Sequence, residues 1–172
     1  MTPSNSTQSL LIFRIGGIHC AVRLESLQEI VPMARLSIPP GLPHILQGFL
    51  NLGGGAVPVL RLDRLFGFPE QTLDLYTPLV ILNVRGNPVA LLVEEVLEVA
   101  ALPKTALLPV DPNHSFNGCA EATVEFRGIP AHLLDIGRLL LEKERRCVAD
   151  FQRVEQGRLQ KLSNAATVEA AR

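Results

Sequence analysis

The chain has 172 residues, of which 47% are hydrophobic, and this composition is typical of a globular protein with a buried core rather than of a disordered chain. Its formal net charge is −1 and only three of its basic residues are lysines, so no basic stripe is present to neutralise a phosphate backbone, and we expect no nucleic-acid partner. Three cysteines without a Cys-x-x-Cys motif favour a reducing cytoplasm over a disulfide framework.

The start of the chain is polar and uncharged, and we expect residues 1–9 to form a flexible lead ahead of the folded domain. These residues lack the basic start and the long apolar run of a signal peptide. No apolar run in the sequence approaches the roughly 18 residues that are needed to cross a bilayer. We therefore expect a cytoplasmic protein that does not insert into a membrane.

The first predicted elements are a hairpin and a short helix. Apolar runs on either side of Gly16-Gly17 are typical of two antiparallel strands within residues 10–23. The following segment, residues 24–31, breaks this β pattern. Because Ser26 and Glu29 have the spacing of a capping box and the apolar residues of the segment cluster on one helical face, we predict a helix here.

A glycine-rich corner is the most distinctive feature of the next stretch. After a proline-rich extended segment and a predicted helical turn over residues 44–50, Gly53-Gly54-Gly55 separates two apolar strands within residues 49–62. The glycines lack a Gly-Lys-Ser/Thr or Gly-x-Gly-x-x-Gly context, and a strand follows them rather than a helix, so no helix N-terminus is available for a phosphate. We predict a tight turn that presents a surface and carries no chemistry.

The middle of the chain predicts further strands. A helical turn over residues 63–68 and a polar loop over residues 69–78 precede a second hairpin, which turns at residues 85–87, and another strand follows at residues 96–102. A third hairpin is predicted over residues 119–134. Nine or ten short strands with turn glycines, and without βαβ alternation, indicate a mainly β barrel or sandwich.

Residues 142–172 form a charged tail with seven basic and five acidic residues. Its apolar residues are spaced for an amphipathic helix that is interrupted at Gly157. The density of charge predicts a solvated helix. The alternative is a helix that docks over the body of the protein or binds a partner through Phe151, Val154 and Leu162.

The histidines and cysteines predict no clear catalytic or metal site. His19 adjoins Cys20, but neighbouring residues of a strand point to opposite faces and do not readily share a metal. Cys119 and His132 can face each other across the third hairpin, although no catalytic motif surrounds either residue. The pair Glu94-Glu95 is best explained as a solvated turn. We expect no metal and no catalytic residue, and a small Cys/His enzyme is the alternative from another class.

Read in chain order, a series of short motifs between about Leu11 and Leu141 resembles the CheW family of chemotaxis coupling proteins. The most specific is the Gly-x-x-Asn-Leu-x-Gly-x-x-x-Pro element that runs from Gly48 to Pro58. The shorter motifs support the resemblance as a series, and they are Leu27-Gln28-Glu29-Ile30, Ile38-Pro39, Pro58-Val59 with Leu62, Phe66-Gly67, Leu92-Val93-Glu94 with Val96, Leu134-Asp135 and Leu139-Leu140.

The resemblance implies a fold of two packed five-stranded β-barrels in a domain over residues 10–141, with short helices and a C-terminal helix. It implies a non-catalytic adaptor without a cofactor. Such proteins link the cytoplasmic hairpin tip of a chemoreceptor to a histidine kinase whose regulatory domain has the same fold, and they also contact other CheW-like proteins. By motif position, the implied receptor-binding residues are Leu27, Glu29, Ile30, Asn51, Leu52 and Gly53.

Two departures from the family pattern affect the predicted partner contacts. Gly53 stands where the family usually has an arginine, which removes a charge and a fork of hydrogen-bond donors from the corner. Arg61 and Asp63 reverse the order of acid and base that the family commonly shows. We predict that Arg61, Asp63 and Phe151 contact partners, and that a divergent scaffold for a different signalling partner is the alternative function.

Overall fold

The computed structural model describes residues 6–111 and 118–171, and in this part of the chain two β-sheets are joined by short turns and followed by a long helix. The strands are β1 (Thr7–Ile15), β2 (Ile18–Arg23), β3 (Leu27–Pro32), β4 (Leu46–Leu52), β5 (Gly55–Arg61), β6 (Pro78–Val84), β7 (Asn87–Leu92), β8 (Glu95–Pro103), β9 (Leu108–Pro109), β10 (Ala120–Phe126) and β11 (Ile129–Leu134). The α-helices are α1 (Leu62–Leu65) and α2 (Glu142–Ala170).

Each of the two sheets is formed by a different part of the sequence. The middle of the chain forms a five-stranded sheet in the order β3-β6-β7-β5-β4, and the two ends form a six-stranded sheet in the order β8-β1-β2-β11-β10-β9. The mainly β, two-sheet architecture with a C-terminal helix confirms the predicted fold class. The first sheet has six strands rather than five because the two-residue strand β9 pairs with the edge of β10.

The three predicted hairpins are present, and each turns where the sequence predicts. Closing residue pairs at Ile15↔Ile18, Val84↔Asn87 and Phe126↔Ile129 leave two residues in each turn. The strands β4 and β5 form a fourth hairpin, which closes at Leu52↔Gly55. Two parallel pairings, β2 with β11 and β5 with β7, then join these local units into sheets.

The sheets are held together by strands that bury both of their faces. In β1, Leu10 and Ile12 contact a cluster inside the six-stranded sheet, whereas Leu11, Phe13 and Ile15 contact a cluster shared by both sheets. This division follows from the alternation of side chains along a strand. Strand β6 divides its side chains in the same way between the shared cluster and the interior of the five-stranded sheet.

The helix predicted over residues 24–31 is wrong. A 3-10 turn at Leu24–Ser26 is followed directly by β3, which pairs with β6 from Leu27↔Leu82 to Pro32↔Pro78. The capping-box spacing is a local signal, and pairing with a buried neighbouring strand outweighs it. The helical turn predicted over residues 44–50 is wrong for the same reason, because β4 occupies most of that segment and pairs with β5.

Both ends of the described chain are more ordered than the sequence predicts. Strand β1 takes in residues 7–9 of the predicted lead, because Thr7 to Ser9 pair with β8, whereas residues 1–5 of that lead lie outside the described residues. Helix α2 runs through Gly157 without the predicted interruption. The backbone N–H of Leu141 donates to the Glu144 carboxylate at the start of this helix (2.8 Å), which satisfies one of the free groups at a helix terminus.

A buried ion pair between Arg61 and Asp63 fixes the loop after α1. The two side chains are 3% and 1% exposed, and Arg61 Nε lies 2.9 Å from Asp63 Oδ1. Arg61 also donates to the side chain of Gln47, and Asp63 accepts from the backbone N–H groups of Arg64 and Gln71. The predicted partner contact of Arg61 and Asp63 is therefore corrected: neither side chain reaches the surface, because each is used to neutralise and orient the other.

The surroundings of Asp63 set the direction of its pKa shift. Burial disfavours the charged carboxylate, but the hydrogen bond and charge of Arg61, together with the backbone N–H groups of Gln71 and Arg64, outweigh burial and lower the pKa of Asp63. A lowered folded-state pKa contributes stability that is complete above the unfolded value of about 4 and is lost as the pH falls through the folded value.

We expect Asp63→Asn to lower the free energy of unfolding by about 3–5 kcal/mol at pH 7, because it leaves Arg61 buried without a counter-charge. Urea denaturation measures this change. Glu98→Gln, which breaks the exposed ion pair with Arg127, is the matched control and should cost less than about 1 kcal/mol. The difference in free energy of unfolding between wild type and Asp63→Asn should become smaller below about pH 4. Equal losses of stability in Asp63→Asn and Glu98→Gln, or a stability difference that does not change with pH, would contradict this explanation.

Candidate functional site

The structure separates the histidines from the cysteines with which they were paired as an alternative site. Cys20 is fully buried whereas its neighbour His19 lies on the other face of β2, and the strand partners of His132 are Thr123 and Cys20 rather than Cys119. Burial raises the pKa of the Cys20 and Cys119 thiols to about 12, so both stay protonated at neutral pH. Among residues 6–111 and 118–171, no cluster of histidine, cysteine and acidic side chains is arranged to hold a metal ion.

The glycine corner is a two-residue hairpin turn of left-handed backbone. Gly53 and Gly54 have φ values of +59° and +89°, and the second turn of this kind, at Arg85 and Gly86, has +52° and +83°. The third hairpin turn also places an arginine, Arg127, at its first position with φ +50°. An arginine therefore fits the first position of such a turn in this protein, and nothing lies within 4 Å of a Cβ built on Gly53.

Asn51 holds the corner closed from the end of β4. Its Oδ1 accepts a hydrogen bond from the backbone N–H of Gly54 (3.0 Å). In the second hairpin, Asn83 Oδ1 accepts the equivalent hydrogen bond from the backbone N–H of Gly86, three residues later in the chain (2.8 Å). The repeated contact gives Asn51 a structural role in the turn, in addition to the exposed position at which the resemblance implies a receptor contact.

The other residues implied to bind a receptor lie on β3 and at the end of β4. Leu27 is partly buried against the shared cluster, whereas Glu29 and Ile30 are exposed, with Ile30 41% accessible. Leu52 is half-buried and contacts the interior cluster of the five-stranded sheet. Strands β3 and β4 are the first and last strands in the order of that sheet. The implied receptor residues therefore form two groups, one on β3 and one at the end of β4.

The segment after β3 returns to β4 and places a hydroxyl beside it. Ser37 and Phe49 form an isolated bridge with two backbone hydrogen bonds of 2.9 Å. Gly48 makes this approach feasible, because a Cβ there would lie only 2.7 Å from the carbonyl oxygen of Ser37. The side chain of Ser37 is consequently fixed next to the β4–β5 hairpin.

Helix α2 covers the start of β5. Strand β5 pairs with β7 only from Val59 to Arg61, so the backbone before Val59 has no strand neighbour on that side. Two glutamines of α2, one helical turn apart, supply the missing partners. Gln152 Nε2 donates to the carbonyl of Ala56 (3.0 Å), and Gln156 Oε1 accepts from the N–H of the same residue (2.8 Å).

The same helix reaches the glycine corner and Ser37. Gln156 Nε2 donates to the carbonyl of Gly54 (2.9 Å), and Ser37 Oγ donates to Glu155 Oε2 (2.7 Å). Glu155 is only 3% exposed, and its second carboxylate oxygen lies 3.6 Å from Arg158. We define the corner face as the surface that α2 contacts here, formed by the backbone of Gly54 and Ala56 and the side chain of Ser37.

The tail is therefore not the solvated helix that its charge predicts, at least over its first two thirds. Val148 is buried in the shared cluster, and Phe151 and Leu159 contact that cluster. The predicted partner residue Phe151 thus faces inward, whereas Val154 and Leu162 are exposed. A pair of glutamines four residues apart is too common in helices to have revealed the docking from the sequence.

Comparison with known proteins identifies the family. The model of the CheW-like domain matches residues 9–144. The chemotaxis protein CheW of Thermotoga maritima is 23% identical over 135 residues, which are 77% of this chain and 87% of that protein. The chemotaxis protein CheW of Klebsiella aerogenes is 25% identical over 140 residues, which are 80% of this chain and 84% of that protein.

The fold agrees with these similarities. The crystal structure of the scaffolding protein TtCheW from Thermoanaerobacter tengcongensis superposes with a TM-score of 0.75 at 19% identity, and the match covers 81% of this chain and 97% of that one. No helix among the described residues is both long and apolar enough to cross a membrane. The matched region includes both sheets and ends at the start of α2, and the chain belongs to the CheW-like domain family.

Proposed function

We propose that this protein is a non-catalytic chemotaxis adaptor that couples the cytoplasmic hairpin tip of a chemoreceptor to the regulatory domain of a histidine kinase. The match of the CheW-like domain model to residues 9–144 carries this proposal. The named relatives are chemotaxis proteins, and the similar crystal structure is described as a scaffolding protein. The adaptor would work in the cytoplasm, where the receptor tip lies, and it would also contact other CheW-like proteins.

The physical basis of the proposed coupling is a rigid body with several exposed edges. The shared cluster fixes one sheet against the other, because residues of both sheets and of α2 fill it. A partner on one sheet is then held at a set distance and angle from a partner on the other. Receptor conformation can bias the kinase through this geometry without chemistry in the adaptor.

We infer that the receptor side includes Leu27, Glu29 and Ile30 on β3 and Asn51, Leu52 and Gly53 at the corner. The exposure of Glu29, Ile30 and Asn51 supports this inference, since residues in contact with a partner must be accessible. The buried Arg61 and Asp63 are left out of it. An enzyme that uses Cys20 or Cys119 as its nucleophile is disfavoured, because burial raises the pKa of both thiols to about 12.

The direct test is binding of the purified chain to two probes, a soluble fragment that contains a chemoreceptor hairpin tip and an isolated kinase regulatory domain. Isothermal titration with each probe should give saturable binding, in the micromolar range that is typical of transient signalling contacts. An unrelated helical hairpin of similar charge is the control. Binding to neither probe would contradict the proposed function, and binding to the kinase domain alone would favour a scaffold for a different partner.

We expect Gly53→Arg to strengthen binding of the receptor fragment, because it restores a charged fork of donors to the corner. The left-handed backbone costs an arginine about 1 kcal/mol, but Arg85 and Arg127 already adopt it in equivalent turns. Gly53→Ala has a similar backbone cost without the guanidinium and serves as the control. Unchanged or weaker binding by Gly53→Arg, relative to Gly53→Ala, would show that the corner does not meet the receptor in this protein.

We expect Asn51→Ala and Asn83→Ala to cost similar free energies of unfolding, about 1 kcal/mol each, since each removes one turn hydrogen bond. Only Asn51→Ala should weaken receptor binding, because Asn83 lies in the β6–β7 hairpin. Thermal unfolding and titration of both variants measure these effects. Equal loss of binding in the two variants would assign the effect to general stability and not to the corner.

A further inference from the structure

We propose that the corner face is a helix-binding surface that the chain's own helix α2 occupies, and that a helix of the receptor tip competes with α2 for it. The identity of the competitor rests on the proposed function. The observation behind the proposal is that α2 supplies side-chain partners to backbone groups of β5 and of the glycine corner that have no strand neighbour on that side.

The chemistry of the corner face selects a helix with polar side chains at set spacings. In α2 an amide at Gln152, a carboxylate at Glu155 and a second amide at Gln156 contact it, so the pattern is amide at i, carboxylate at i+3 and amide at i+4. These positions lie on one face of a helix. Ser37 donates to the carboxylate, and the groove beside it is lined by both apolar side chains, such as Leu36, and polar ones, such as Arg35.

Most of helix α2 lies outside the matched domain. The CheW-like domain model ends at residue 144, whereas the helix continues to Ala170. A strand edge with open N–H and C=O groups is a site at which another chain can bind, and proteins commonly cover such edges. In this protein, α2 covers the edge and thereby limits access to it.

The contacts of α2 divide it into an anchored part and a releasable part. Val148 is buried in the shared cluster and anchors the first turns. From Gln152 onward the attachment consists mainly of hydrogen bonds to the corner face, with Leu159 in partial contact with the core. Beyond Leu159 every described side chain is exposed. Release of the part from Gln152 onward therefore leaves the anchor in place.

Gly157 weakens the releasable part without taking part in its docking. Nothing lies within 4 Å of a Cβ built on Gly157, so the glycine is not needed for close approach to the body. Glycine disfavours a helix relative to alanine, and most of the stability of a helix in a protein comes from packing, which this part of α2 loses once it is detached. Release is thus coupled to unwinding, and the glycine shifts the balance toward release.

The test measures the dissociation constant for a soluble receptor-tip fragment with full-length variants that shift α2 in opposite directions. The double variant Gln152→Ala/Gln156→Ala loses the contacts to β5 and should bind the fragment at least about threefold more tightly. Gly157→Ala should bind about threefold to fivefold more weakly, since it favours the docked helix. Gln160→Ala changes an exposed glutamine of the same helix and should leave the constant unchanged.

Hydrogen exchange provides a second readout that does not depend on affinity. Amides of residues 152–159 should exchange faster in the double variant, slower in Gly157→Ala, and faster in the wild type once the receptor fragment is bound. Equal affinities in all variants, or unchanged protection of these amides on binding, would overturn competition by α2 while leaving the adaptor function intact. Failure of every variant to bind the receptor fragment and the kinase domain would overturn the proposed function and the competitor with it.

Discussion

A hydrophobic cluster that contains residues of both sheets holds the two sheets in one arrangement. Strands β1, β5 and β6 each send alternate side chains into this shared cluster and into the interior of their own sheet. A strand buried on both faces cannot shift its register by one residue without exchanging the two sets of side chains. The relative position of the sheets is therefore set by packing, which is the property that an adaptor needs if it transmits geometry rather than a chemical change.

Polar contacts stabilise the two ends of strand β5, at the edges of this core. The buried pair of Arg61 and Asp63 ties the loop after α1 to β5, and the glutamines of α2 complete the backbone hydrogen bonding at the other end of that strand. Both arrangements satisfy backbone or charged groups that would otherwise be costly to bury. The ion pair is deeply buried, whereas the contacts of the two glutamines are only partly buried, and it is these contacts that we propose a partner displaces.

The sequence predicts those features that are encoded locally. Each two-residue turn that ends in a glycine marks a hairpin, because only a few residues adopt the left-handed backbone that such turns require, and all three hairpins predicted in this way are present. The motif from Gly48 to Pro58 indicates the family from the sequence, and in the structure it forms the glycine corner. The local sequence does not predict strand β3. Its apolar residues have helical spacing, and they form a strand because they pair with β6.

The candidate site is less accessible to sequence reasoning, because its contacts join distant parts of the chain. Arg61 and Asp63 look like surface charges in the sequence, and only their mutual burial shows that they are internal. Gln152 and Gln156 meet Ala56 about a hundred residues away, so no spacing rule links them. The prediction of a solvated helix is wrong for that reason, because the density of charge reflects the exposed face of α2 and not the few side chains that contact the sheets.

We propose that one rigid body engages a receptor and a kinase at the same time. Size-exclusion chromatography of the receptor-tip fragment and the kinase regulatory domain, with and without this protein, tests it most directly. We predict that all three components elute together only when the protein is present, as a complex of defined stoichiometry. Elution of two separate binary complexes, with each partner excluding the other, would contradict the account.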